Sequence, residues 1–224
     1  MTGRNKPRQG GEQVSDLTAG RLSVYLRCLN GLEAAGVKTT SSKALAATFH
    51  LNAAQIRKDL AYFGEFGVRG VGYYVSDLKA HLRAILGLDR IVRVAILGAG
   101  NLGLALADYQ GFQQEGFVIV GLFDNAPAKI GGRSRNGVRI HDVAEFQNRA
   151  GAGEIDIVAV AVPGDAAQQV VSLVVGCGIK AILNFSPGAL KVPAEVKLKN
   201  VDLTVSLESL SFFLARGEAS VPTR

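Results

Sequence analysis

Apolar side chains in the first part of the chain recur at helical spacing. Leu22, Tyr25, Leu26, Leu29 and Leu32 form one such face, predicting a helix over about 17–35 that Gly36 stops. Thr39 to Ser42 supply an N-cap for a short helix reaching about Phe49. His50-Leu51-Asn52 then makes a turn, and Asn52 caps a third helix over about 53–63. Ile56, Leu60 and Phe63 are its apolar stripe, and Gly64 ends it. The segment EFGVRGVGYYV sets three glycines among β-formers, the composition of a tight hairpin. Ser76 is placed to cap a further helix running to about Gly87.

At Ile91 the period changes. IVRVAILG is a continuous apolar run, as in a strand buried on both faces, and FVIVGLFD, IDIVAVAVP, KAILNF and VDLTVS repeat it. Helix-like stretches fall at about 101–115, 142–149, 165–176 and 207–216, and 137–141 reads as a weaker strand. Strand–helix alternation predicts an α/β domain with a parallel, Rossmann-like sheet covered on both faces. The expected organisation is a tail at 1–16, a helical domain at 17–88, the sheet domain at 89–206, a terminal helix at 207–216 and a tail at 217–224. No internal repeat argues for a solenoid.

Charge separates the two halves. Residues 1–90 hold 13 Lys/Arg against 7 Asp/Glu and so carry the whole net charge of +6, while residues 91–224 hold 12 of each. The first half therefore reads as the part that meets a polyanion, against the plainer reading of a solvated basic face. A chain of 224 residues that is 48% hydrophobic can fill packed cores. No run approaches the roughly 18 apolar residues of a membrane span, and MTGRNKPRQGGEQ is not a secretory leader. Cys28 and Cys177 lack metal-ligand spacing and read as small apolar residues of a reduced, cytoplasmic protein.

The first buried strand runs into Gly98-Ala99-Gly100-Asn101-Leu102-Gly103 and then the helical LALADY. In isolation G-x-G-x-x-G is a weak signal, but here a strand precedes it, a helix follows, and another strand comes within about thirty residues. The glycines permit a tight turn, close approach of backbone to a pyrophosphate, and close helix–strand packing. The second strand ends at Asp124, 21 residues beyond Gly103, where a carboxylate can accept both ribose hydroxyls and repel a 2′-phosphate. The turn is read as a dinucleotide site favouring NAD(H).

A dehydrogenase also needs a general acid or base near the nicotinamide. The only histidine of this half is His141, at the end of the weak strand. Val162-Pro163 and Asn184-Phe185-Ser186-Pro187, at the other strand ends, offer shape and apolar contact but little proton transfer. Cys177 sits in GCG without an activating partner. The sequence binds a cofactor and shows no machinery to turn it over.

In the basic half, short helix, turn, capped helix and glycine hairpin follow in the order of a winged helix-turn-helix. The second helix of the pair would enter the major groove. Asn52, Gln55, Arg57, Lys58 and Tyr62 are left on its outer side, with Ser41 and Ser42 at the start of the preceding helix. Gln and Arg read adenine and guanine, while Lys and Tyr reach phosphates. Arg69 and Gly70 at the hairpin tip suit the adjoining minor groove.

These residues carry a resemblance. Gln55 through Gly64 (QIRKDLAYFG) and Gly67 through Tyr73 (GVRGVGY) resemble the Rex family of bacterial redox-sensing repressors. The glycine turn with Ala107-Asp108-Tyr109, the Phe123-Asp124 strand end and Ile182-Leu183-Asn184-Phe185 extend the match over about residues 17–214. The resemblance implies a homodimer whose C-terminal helix, here about Leu207–Ala215, is exchanged to lie between the partner's two domains. It implies binding of double-stranded, inverted-repeat operator DNA when NAD⁺ dominates, and release when NADH binds. It also implies a polar cluster linking cofactor to DNA domain, which by motif falls on Arg27, Tyr109 and Asp202. A helix-turn-helix regulator sensing another nucleotide or an acyl-CoA, and a small NAD-dependent dehydrogenase, remain the alternatives.

Overall fold

The computed structural model describes residues 15–216, and their contacts divide into two compact units between Arg90 and Ile91. The tails expected at 1–16 and 217–224 lie outside the described residues, apart from Ser15 and Asp16. Ser15 is the N-cap of α1 (Asp16–Ala34), its side chain accepting from the Thr18 N–H, and Asp16 opens that helix.

The first unit continues with β1 (Thr39–Thr40), α2 (Ser42–Phe49), α3 (Ala53–Phe63), β2 (Tyr73–Tyr74) and α4 (Val75–Ile85). Leu22, Leu26 and Leu29 of α1 share a core with Leu45, Ile56, Leu60, Leu78 and Leu82, all essentially without exposure. The spacing that predicted the helices is therefore the spacing that fills the core, although Leu32 and Phe63 of the same stripes are only half-buried. Two details differ from the sequence reading. The expected hairpin closes only at Val68 and Gly72, and β2 pairs antiparallel with β1 instead. Gly72 permits this: its φ is 95°, and a Cβ there would collide with the Thr40 carbonyl oxygen. Nor does Ser76 cap α4. The N-cap is Tyr74, the Val75 N–H is satisfied by the Lys38 carbonyl, and the Ser76 hydroxyl donates to Asp77.

The second unit is built on a six-stranded parallel sheet of β3 (Val92–Leu97), β4 (Phe117–Asp124), β5 (Ile140–Asp142), β6 (Ile157–Val160), β7 (Ala181–Asn184) and β8 (Lys197–Asn200). The spatial order β5-β4-β3-β6-β7-β8 is that of a dinucleotide-binding sheet, with its topological switch point between β3 and β6. One face packs Leu97, Phe123, Val158 and Val160 against Phe146 of α7 (Phe146–Gly151) and Val171 and Val174 of α8 (Gly164–Gly176). The other face carries α5 (Asn101–Ala107) and α6 (Gln110–Gln114). Beside them a groove of about 340 Å³ remains, lined by Ile96, Leu106, Phe112, Ile119, Ala159 and Leu183 among others.

The single helix expected over 101–115 is two helices. Tyr109 turns extended between them, and the carboxylate of Asp108, the C-cap of α5, accepts from the Arg135 and Asn136 N–H groups, tying down the 134–138 turn. VDLTVS is not a strand: the last strand is Lys197–Asn200, and α9 (Leu203–Arg216) starts four residues earlier than predicted. Asp202 caps α9, accepting from the N–H groups of Thr204 and Val205. Leu203, Leu207, Leu210 and Leu214 of α9 all stand exposed, Leu214 at 83%.

Candidate functional site

The glycine turn joins β3 to α5 at the switch point. Gly98 has φ 104°, and a Cβ on it would run into the Ala161 carbonyl oxygen at the end of β6. A Cβ on Gly103 would strike the Gly98 carbonyl oxygen, so the turn and the first turn of α5 are pressed together. Gly100, the N-cap of α5, meets nothing within 4 Å. Two glycines thus make the turn, and the third has open space beside it. Ala99 is buried, whereas Asn101 and Leu102 are exposed on the opening turn of α5.

Asp124 closes the turn from beneath. Its carboxylate accepts from the Ala99 N–H at 2.8 Å, the Ala126 N–H at 2.9 Å and Lys129 Nζ at 3.0 Å. Burial alone would raise this carboxyl. The Ala126 N–H, the Lys129 ammonium and the Ala99 N–H outweigh it and hold the group below the usual carboxylate range. Lys129 was not among the expected site residues, and its place five residues past the strand end is its one sequence signal.

At the far side of the switch point, Ser186 Oγ donates to the Val162 carbonyl at 2.6 Å, linking the loop after β7 to the loop after β6. Asn184, 1% exposed, donates to the Ser186 carbonyl and to Asn200 Oδ1, and accepts from the Ser186 N–H. Asn184 and Ser186 are therefore occupied in shaping the loop. Pro163 caps α8 and Pro187 leans on Gly164, both exposed, whereas Phe185 turns into the groove on the sheet face. Tyr109 sits at the join of α5 and α6, 60% exposed, with its ring edge-on to Phe112 at 5.0 Å. Among the described residues it makes no bond to Asp202, which is spent on capping α9.

In the first unit, Lys58 and Tyr62 stand exposed on the outer face of α3, and Arg69 and Gly70 form the exposed tip between Val68 and Val71. Ser41 caps α2, Asn52 caps α3, and Ser42 is buried and accepts from Arg57 Nη1. Arg27 is exposed on α1. Gln55 is half-buried, its amide donating to Asp59 at 2.7 Å. Asp59, which the sequence reading passed over, also accepts two bonds from Arg21 and one from the Tyr25 hydroxyl. It pins α3 to α1 and fixes which atom of the Gln55 amide faces inward.

A family model described as "Putative DNA-binding protein N-terminus" matches residues 13–61, and one described as "CoA binding domain" matches residues 89–188. The redox-sensing transcriptional repressor Rex of Syntrophomonas wolfei is 51% identical over 203 residues, covering 91% of this chain and 96% of that one. A crystal structure of RSP in complex with β-NAD⁺ and operator DNA superposes with a TM-score of 0.86 at 42% identity, covering 92% of this chain and 95% of its own. RSP in complex with β-NADH gives a TM-score of 0.80 at 40% identity, covering 92% and 97%. With a winged helix-turn-helix joined to a dinucleotide-type sheet, and likeness of this extent to named repressors, the chain belongs to the Rex family of redox-sensing transcriptional repressors.

Proposed function

We propose that this protein is a cytoplasmic DNA-binding repressor that reads the NADH/NAD⁺ ratio, holding an inverted-repeat operator with NAD⁺ or without cofactor and leaving it when NADH binds. The observation that carries the reading is the pair of surfaces in one chain: a glycine turn with open space beside Gly100, and an α3 helix and tip rich in exposed cations. Its relatives support it, since RSP is described with β-NAD⁺ and operator DNA and with β-NADH. Gly98, Gly100 and Gly103 take the pyrophosphate, and Asp124 the adenine ribose. Arg57, Lys58, Tyr62 and Arg69 meet the operator.

The two redox forms of the nicotinamide differ by one positive charge and by ring planarity, and only a difference in affinity can shift a two-state protein. The loop Asn184–Pro187 is the part placed to feel that difference, because Ser186 ties it to the β6 end beside the glycine turn. Tyr109 and Asp202 change partners in the switch, and Arg27 is its third member.

The active species is a homodimer that exchanges α9. A helix with four exposed leucines on one side and a bare apolar groove on the sheet of the same chain are complementary, and a second copy supplies both at once. Fluorescence anisotropy on a labelled inverted-repeat operator, with NADH, NAD⁺ and NADPH added separately, tests the reading. Release by NADH with the other two much weaker is the expected result. Tight binding that ignores every nicotinamide form would overturn the sensor.

A further inference from the structure

Gly111 is the second residue of α6, a five-residue helix, where glycine is the poorest helix former short of proline. Its φ lies outside the left-handed region, so the backbone there accepts any residue and conformational freedom does not explain the glycine. What explains it is the ring of Tyr109. A Cβ built on Gly111 would stand 2.5 Å from Tyr109 Cζ and 2.7 Å from its hydroxyl oxygen, and closer still to Cε1. The tyrosine ring lies across the bare Cα, and it also packs T-shaped with Phe112, the two ring planes at 80°. We propose that Gly111 is the positioning residue for Tyr109: the missing side chain is the seat that puts the tyrosine hydroxyl where the redox switch uses it.

This inference rests on the reading of Tyr109 as a switch residue. All three of the nearest atoms belong to the outer part of one exposed side chain and none to the backbone. An alanine at 111 therefore displaces the ring and leaves the helix intact, and as a better helix former it favours α6. The three atoms nearest to such a Cβ all belong to Tyr109, so the substitution is expected to act through that side chain.

The test combines Gly111→Ala, Tyr109→Ala and the double variant, each as the full chain on operator DNA. The protein has five tyrosines, so fluorotyrosine labelling gives few enough ¹⁹F resonances to assign Tyr109 by its loss in Tyr109→Phe. In Gly111→Ala the Tyr109 resonance shifts, and the NADH-over-NAD⁺ discrimination in operator release falls about tenfold, the size of an ordinary allosteric coupling. Tyr109→Ala loses discrimination as well, and adding Gly111→Ala to it changes nothing further. An unmoved Tyr109 resonance would overturn the seat. A shifted resonance with full discrimination, or a further loss in the double variant, would overturn the positioning role while leaving Tyr109 as the switch. Full discrimination in Tyr109→Ala would remove the switch reading itself, and the role of Gly111 with it.

Discussion

Asp59→Asn tests what holds α3 to α1 in the DNA-binding unit. Four hydrogen bonds converge on this carboxylate, from Arg21 at 2.6 and 2.7 Å, Gln55 at 2.7 Å and Tyr25 at 2.9 Å. Arg21 donates to both oxygens and cannot accept, so an amide turns its NH₂ toward an Arg21 N–H whichever way it sits. Removing one partner of a buried ion pair costs about 3–5 kcal/mol. Here Asp59 is buried but the Arg21 side chain is 36% exposed, and Asn keeps one acceptor, so the expected loss is about 2–3 kcal/mol. For a domain of this size that is about 10–20 °C in Tm. Burial would raise the Asp59 carboxyl, but the bonds from Arg21, Gln55 and Tyr25 outweigh it and lower the pKa. A group depressed in the folded state stabilises fully above its unfolded value, about 3.9, and loses that contribution as pH falls through the folded value. Urea melts followed by circular dichroism, with NADH fluorescence reporting on the sheet unit, should show an acid-labile first transition that Asp59→Asn weakens at neutral pH. A transition unchanged within about 0.5 kcal/mol in both Asp59→Asn and Arg21→Ala would mean that this carboxylate does not hold the unit together.

Asp124→Ala frees the Ala99 N–H and Lys129 and should weaken NADH at least tenfold by calorimetry, while cofactor-free operator binding persists. Arg69→Ala at the exposed tip should weaken operator binding and reduce the slope of log K against log salt by about one, as measured by anisotropy between low and moderate salt. Leu207→Glu with Leu210→Glu places two charges on the exposed face of α9 and should convert the dimer to monomer in light scattering.

What the sequence made legible is what is local. The strand–turn–helix geometry at Gly98–Gly103 is legible because its parts are contiguous, and the core of the first unit because helical spacing alone selects Leu22, Leu26 and Leu29. The misread places are set by partners distant in the chain. The Val75 N–H finds the Lys38 carbonyl, so α4 begins without the side-chain cap that Ser76 offered. Asp108, where a continuous helical pattern breaks, holds residues 135 and 136, and Asp59 meets Arg21 and Tyr25 more than thirty residues away. The strand 197–200 carries two lysines and an asparagine at the sheet edge, so it lacks the apolar run that marks the inner strands. For α9 a signal existed: Asp202 is a capping residue, and leucines follow at 203, 207, 210 and 214. The β-branched residues of VDLTVS obscured it.

The proposed dimer has an energetic consequence beyond symmetry. Moving a two-state protein from 99:1 to 1:99 requires a ligand to favour one state by about 5.5 kcal/mol, roughly 10⁴-fold. A single allosteric coupling is typically 1–3 kcal/mol, so one nucleotide site on a monomer falls short. Two identical sites acting on one concerted equilibrium need only about 100-fold each, about 2.7 kcal/mol and within the usual range of a single coupling. NADH-driven release should therefore rise more steeply than a hyperbola, with a Hill coefficient between 1 and 2. In Leu207→Glu with Leu210→Glu, the same titration should become hyperbolic, and its DNA affinity should fall because one recognition helix then holds one half-site. A hyperbolic response from the intact dimer would mean that each nucleotide site acts on its own protomer alone. Linkage fixes the reverse measurement as well: operator DNA must weaken NADH binding by the factor by which NADH weakens operator binding.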